Sequence, residues 1–269
     1  MTAALLALLL VPLALMLGQL LALASRASIV DEPAAPRTFG LVSRFPFLLC
    51  PFHPARWHRP SELALVAGLP LAALGLLAAF TPVKAAVLFV FFALLAWGTV
   101  VDLRSQYIPD ECSIGGIFAG LLCSSLAPVL HRPLSVDTPY LLSALHGFAS
   151  SLHGAIVGAG LLLVFTLLIE AFLQKEAMGF GDIKLAAAIG AFLGWRAPFF
   201  ALFGGALGGL IVMVAIAGWK FVTSADKASV GLPKGHIPFG PMLAGAAVVF
   251  ALGGDRWVAP FFDVLAALV

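Results

Sequence analysis

The sequence predicts an all-α, polytopic membrane protein with about eight transmembrane helices, and three observations carry that reading. Of 269 residues, 62% are hydrophobic and 10% are charged, whereas a soluble globular domain carries roughly 25% charged residues. Mean hydropathy is +1.08, so the solvent for most of this surface is lipid. Apolar runs long enough to cross ~30 Å of hydrocarbon at ~1.5 Å per residue recur along the whole chain, which leaves no room for a soluble domain of ordinary size. The net charge of +2 is small and dispersed. It gives no support to a nucleic-acid partner and leaves the basic residues as topology signals in a lipid bilayer.

The first run, Leu5 to Leu23, ends near Ala-Leu-Ala-Ser at positions 22 to 25, which has the look of a signal cleavage site. No Lys or Arg precedes Arg26, however, and the run exceeds the ~7 to 15 apolar residues of a secretory signal. It reads as a retained first span, at about 4 to 24. Further spans follow at 62 to 80, 83 to 101, 112 to 130, 151 to 173, 183 to 195, 198 to 219 and 239 to 253, each bounded by charge, Pro or Gly. The segment 183 to 195 is short for a crossing. The apolar segment 257 to 269 is shorter than a full span and reads as an interfacial or partial one. Two stretches look soluble: a basic, Pro-containing loop at 25 to 60, and a loop at 131 to 150 holding His131 and His146. Cys50, Cys112 and Cys123 are an odd set without paired spacing, so no disulfide framework is expected.

Loops on the cytoplasmic side are enriched in Lys and Arg. With eight spans and the amino terminus outside, eleven of these residues fall inside and four (Lys84, Arg132, Arg196 and Arg256) fall outside. Both termini then lie on the outer face, and Asp102 and Asp182 share the cytoplasmic face at the ends of the third and sixth spans.

Most of the acidic residues have ordinary explanations as solvated loop or helix-end groups. Asp102 and Asp182 are different. Asp102 follows the apolar run Leu94 to Val101, and a carboxylate at that depth is costly unless it faces protein or a wet cavity. Its ordinary alternative is an interface anchor paired with Arg104. Asp182 lies in Met178-Gly-Phe-Gly-Asp-Ile-Lys-Leu, directly before an apolar helix, where the ordinary alternative is a helix N-cap. Two carboxylates at one membrane depth are able to share a proton. The protonated member polarises a carbonyl while the ionised member takes a proton from water. Gly179 and Gly181 lack Cβ atoms and would let a substrate strand approach beside the acid.

At these residues the chain resembles the prepilin peptidases, or type IV leader peptidases, which are intramembrane aspartic proteases with a Gly-x-Gly-Asp motif. Met178 to Trp195 is similar to the family's second aspartate block nearly throughout, and Asp102-Leu-Arg-Ser-Gln-Tyr-Ile-Pro-Asp110 to its first. Ser151-Leu-His-Gly-Ala-Ile-Val-Gly158 and Ile237-Pro-Phe-Gly-Pro241 match two further segments, in the right order. The resemblance implies removal of a short basic leader from type IV prepilins or type II secretion pseudopilins. Cleavage would fall after a glycine, at the cytoplasmic face of the bacterial inner membrane. Asp102 and Asp182 would be the catalytic pair, and Gly179, Gly181 and Lys184 would lie along the substrate, although a lysine at a helix end also snorkels. The peptidase core would then span 83 to 269, after amino-terminal spans at 1 to 82.

The amino-terminal loop at 25 to 60 departs from the family pattern. Where relatives of this type carry two Cys-x-x-Cys pairs for zinc, this loop offers Cys50, His53 and His58. That is three ligands, and a structural zinc site uses four. Gly18-Gln-Leu-Leu-Ala-Leu only faintly echoes the stretch linked to methylation of the new amino terminus. Neither zinc nor S-adenosylmethionine is therefore expected as a cofactor. Paired intramembrane acids also occur as proton relays, so a transporter or proton-coupled channel is the alternative from another class. An inactive assembly scaffold is the third.

Overall fold

A computed structural model describes residues 17–18, 60–131, 139–174, 178–223 and 238–267. Among the described residues every long element is a helix and none is a strand. A helix satisfies its backbone polar groups within one segment, as hydrocarbon requires. Among the described residues, four helical stretches are long and apolar enough to cross a membrane: Pro82–Leu103, Tyr140–Phe172, Arg196–Trp219 and Gly240–Val264. The span expected at 4 to 24 and the loop expected at 25 to 60 lie outside the described residues, apart from residues 17–18.

The chain divides into two compact units, Met1–Cys112 and Ser113–Val269. In the first unit α1 (Pro60–Ala79) packs along α2 (Pro82–Ser105). Leu69, Ala73 and Leu76 are buried on α1 at helical spacing. Thr81 is the extended residue before α2, and Pro82 opens the helix, where its missing N–H costs nothing. The helix ends at Gln106, whose left-handed backbone (φ 53°) lets its N–H close on the Asp102 carbonyl at 2.9 Å.

The second unit is built around a short central helix. Its helices are α3 (Asp110–Leu126, whose first turn belongs to the first unit), α4 (Tyr140–Leu173), α5 (Phe180–Leu193), α6 (Arg196–Thr223), α7 (Gly240–Val249) and α8 (Asp255–Ala267). A 3₁₀ turn at Pro128–Leu130 follows α3, and a π segment, Phe250–Gly254, joins α7 to α8. α5 is only 14 residues long, and ten of them are buried. A helix apolar on all sides belongs inside a bundle. Its neighbours α4 and α6 instead present Leu152, Ile156, Leu163, Val164, Phe203, Leu207 and Ile211 outward, the face a membrane protein offers to lipid.

Close packing around α5 depends on glycine. A Cβ at Gly154 of α4 would run into the Gly190 carbonyl of α5, and one at Gly190 would run into the Gly154 carbonyl. Gly158 meets the Ala186 carbonyl in the same way, and Gly147 meets that of Ser124 on α3. Small residues let helix backbones approach this closely in membranes.

The outer loop expected at 131 to 150 is corrected in its second half, because α4 begins at Tyr140. His131 and His146 suggested a loop, yet no charge, and nothing but Gly147, interrupts the helix from Tyr140 onward. The Tyr140 hydroxyl donates to the Leu126 carbonyl at 2.7 Å and ties the start of α4 to the end of α3. At 34 residues, α4 is about 50 Å long, so it tilts in the bilayer or extends beyond it.

Candidate active site

Asp102 stands four residues before the C-cap of α2 and is 5% exposed. Val101 beside it is fully buried, and Leu103 on its other side is exposed. The side chain of Arg104 lies outside the described residues, and with it the anchor-pair reading. Asp182 is 8% exposed. The N-cap of α5 is Gly179, in extended conformation, and Asp182 is the third residue of the helix. The acid is therefore not the cap. Its N–H donates to the Gly179 carbonyl at 3.1 Å. In the first turn it faces the positive end of the helix dipole, which favours negative charge, whereas Asp102 stands near the negative end of α2. Asp102 belongs to the first unit and Asp182 to the second.

The residues around Asp182 form an open rim. Gly179 and Phe180 are exposed and Gly181 is half-buried. A Cβ on Gly179 would sit 3.7 Å from Oδ2 of Asp182, so the glycine's bare face lies directly alongside the carboxylate. Lys184, one turn into α5, is half-buried and places Nζ 5.3 Å from the centroid of the Phe180 ring. Phe180 is 68% exposed. Nothing in the sequence singles it out, because it fills the variable position of the Gly-x-Gly-Asp motif.

The other motif blocks have structural duties. Pro109 is buried ahead of α3, and Asp110 and Glu111 occupy its first turn. The last carbonyls of a helix lack intrahelical partners. At the end of α5 the Ala191 carbonyl accepts a hydrogen bond from the Ser151 hydroxyl at 2.7 Å, with the Ser124 hydroxyl at 3.4 Å. Ser124 Oγ also lies 2.9 Å from Nε2 of His131. The block 151 to 158 thus caps α5 and, through Gly154 and Gly158, supplies its glycine seam. The Pro-Phe-Gly-Pro block opens α7, where the Phe239 carbonyl accepts from the N–H groups of Met242 and Leu243. Among the described residues no group of His, Cys, Asp and Glu is arranged to hold a metal ion. Cys50, His53 and His58 lie outside them.

The sequence profile of the Type IV leader peptidase family matches residues 89–214, a stretch that holds both aspartates and the whole of α3 to α5. Through this segment the chain is similar to the type IV leader peptidase family. Three relatives, each named prepilin leader peptidase/N-methyltransferase, illustrate the likeness. The protein of Escherichia coli K12 is 28% identical over 204 residues, covering 75% of this chain and 77% of its own. That of Stutzerimonas stutzeri is 31% identical over 175 residues, covering 63% and 52%. That of Pectobacterium carotovorum subsp. carotovorum is 34% identical over 151 residues, covering 54% and 43%. The chain thus spans about half the length of the latter two. No solved structure matches it significantly. Three of the four blocks lie wholly inside the leader peptidase segment, and the Pro-Phe-Gly-Pro block follows it.

Proposed function

We propose that this chain is a membrane aspartic endopeptidase that removes the short leader from type IV prepilins or type II secretion pseudopilins at the cytoplasmic face of the inner membrane. The observation that carries the reading is the pair of aspartates, both buried, both at helix ends, and both inside the family segment. Burial of two carboxylates in an otherwise apolar protein is expensive without a task for them. Bond cleavage supplies one. The ionised acid takes a proton from water, the water oxygen adds to the scissile carbonyl, and the protonated acid gives its proton to that carbonyl oxygen. The first acid then gives the proton it took to the amide nitrogen as the C–N bond breaks, and the second acid takes a proton back from the diol as the new carboxyl group forms. Asp182, at the positive end of α5, is the member suited to carry the charge.

Gly179 and Gly181 leave space for the substrate backbone beside Asp182, and Lys184 stands on the same first turns of α5. The substrate is a helix already in the membrane, so an acid at the start of a buried helix meets it where its apolar segment begins. The proposal covers leader removal alone. The name of each relative includes N-methyltransferase, but the amino-terminal loop of this chain lacks the paired cysteines that accompany that activity in the resemblance.

The test uses purified protein in proteoliposomes with a prepilin from the same genome. Mass spectrometry is expected to find a product beginning directly after the leader glycine, without an added methyl group. An uncut prepilin in the presence of folded, correctly inserted protein contradicts the proposal.

A further inference from the structure

α8 is unlike the other helices, and its place in the fold says what covers it. By length and composition it completes a span with α7, Gly240–Val264. The backbone breaks that span at Gly253 (φ 133°), inside the π segment, just before Asp255 and Arg256. A left-handed backbone there favours glycine and turns the chain.

Contacts with the start of α6 show where it turns. Phe250 and Trp257 both face the ring of Phe200, at 5.6 and 6.2 Å between centroids. Phe262 packs against Phe199 at 5.5 Å and Trp195 at 4.8 Å, and the Arg196 guanidinium reaches Asp263 at 3.0 Å. From Phe250 to Asp263 a straight helix would advance about 20 Å, yet its partners on α6 lie within about 6 Å along that helix. α8 therefore runs across the end of α6 instead of continuing the line of α7. The ion pair is exposed and adds little, while the Trp195, Phe199 and Phe262 rings, at edge-to-face angles, hold the crossing in place.

The crossing leaves one face of α8 outward. Trp257, Phe261 and Val264, at positions i, i+4 and i+7, are 72%, 66% and 62% exposed. Leu252 on the π segment and Phe203 and Leu207 on α6 are exposed apolar residues as well. Asp255, Arg256 and Asp263 lie off that stripe. This is the make-up of a helix lying in a membrane interface, with aromatic and aliphatic side chains buried at shallow depth and charges turned to the headgroups.

We infer that α8 is an interfacial helix lying in the plane of the membrane, at the end of the bundle opposite Asp182, with Trp257, Phe261 and Val264 inserted between lipid headgroups and acyl chains. Arg196 marks the level, since it follows the C-terminus of α5 whereas Asp182 sits at its N-terminus. The inference is independent of the proposed peptidase activity.

The test places the full-length protein in vesicles of phosphatidylethanolamine and phosphatidylglycerol containing lipids brominated either near the headgroup or near the chain end. The part of the fluorescence quenching that disappears in Trp257→Phe reports the depth of Trp257, and is expected to be larger with the shallow label. In a cysteine-free background, Asp263→Cys should react with an impermeant maleimide from the side opposite to Lys184→Cys. Stronger quenching by the deep label would make α8 the second half of a span and overturn the inference, and reaction of both cysteines from one side would put α8 at the same end of the bundle as Asp182 and overturn it as well. Absence of Trp257 quenching by either lipid would mean that water or a second copy covers this face, and would overturn it equally.

Discussion

Asp182 occupies the third position of its helix, and the capping role falls to Gly179, whose extended backbone precedes α5. The capping explanation for the acid is thereby removed. His131 shows the opposite case, a polar residue whose explanation is structural. It follows the 3₁₀ turn beyond α3, beside Ser124, and burial lowers its pKa from 6.5 to about 4. Between those values the unfolded chain holds a proton that the folded chain does not. Stability is complete above about 6.5 and declines as pH falls toward about 4. The midpoint of thermal unfolding in detergent should drop across that window, and His131→Gln should flatten the dependence. An unchanged slope in that variant would contradict the assignment. Loss of the Ser151 hydroxyl in Ser151→Ala should cost about 1 kcal/mol of stability by chemical denaturation, since the Ala191 carbonyl loses its 2.7 Å partner.

At the scale of elements, α5 is held by backbone contact, and the glycines of α4 divide into two kinds. Gly154 touches the Gly190 carbonyl, whereas a Cβ added at Gly160, six residues on, would meet nothing within 4 Å. Gly154→Ala should therefore destabilise by about 1 to 3 kcal/mol through overpacking. Gly160→Ala should be neutral or gain up to about 1 kcal/mol from helix propensity. Thermal unfolding of the two variants side by side checks the contrast, and equal effects would refute the seam. Element existence was legible in the sequence because apolar runs between Pro, Gly and charge are strong signals in this medium; α2, α5, α6 and α7 lie close to the expected spans. The start of α4 was not. Its first turns are fixed by a hydroxyl of Tyr140 on Leu126 and by Gly147 against Ser124, contacts between residues distant enough in sequence that local composition does not show them. The crossing of α8 was half legible: its length ruled out a full span, but its direction depends on Gly253 and on aromatic partners in α6.

For the whole molecule, the charge count sets a topology that fusions can test. Reporters placed within residues 175–177 and 224–237 should read as cytoplasmic, and one placed after Arg132 as periplasmic. The reverse pattern would move Asp182 to the wrong face for a leader peptidase. Elemental analysis of purified protein should find far less than one zinc per chain, given three candidate ligands at Cys50, His53 and His58; stoichiometric metal would show the loop to be a complete site. The candidate catalytic residues were legible because an aspartate beside lipid is conspicuous. Their structural supports, Ser124, Ser151 and the glycine seam, were not, since small residues carry little signal until a facing backbone is known. The central claim is that neither acid acts alone. Coexpression of a prepilin from the same genome with Asp102→Asn or Asp182→Asn measures it, with membrane insertion of each variant verified. The expected result is loss of the leader-removal mobility shift in both, by a factor on the order of 10² to 10⁴ or more in rate. Full processing by either variant would contradict the account.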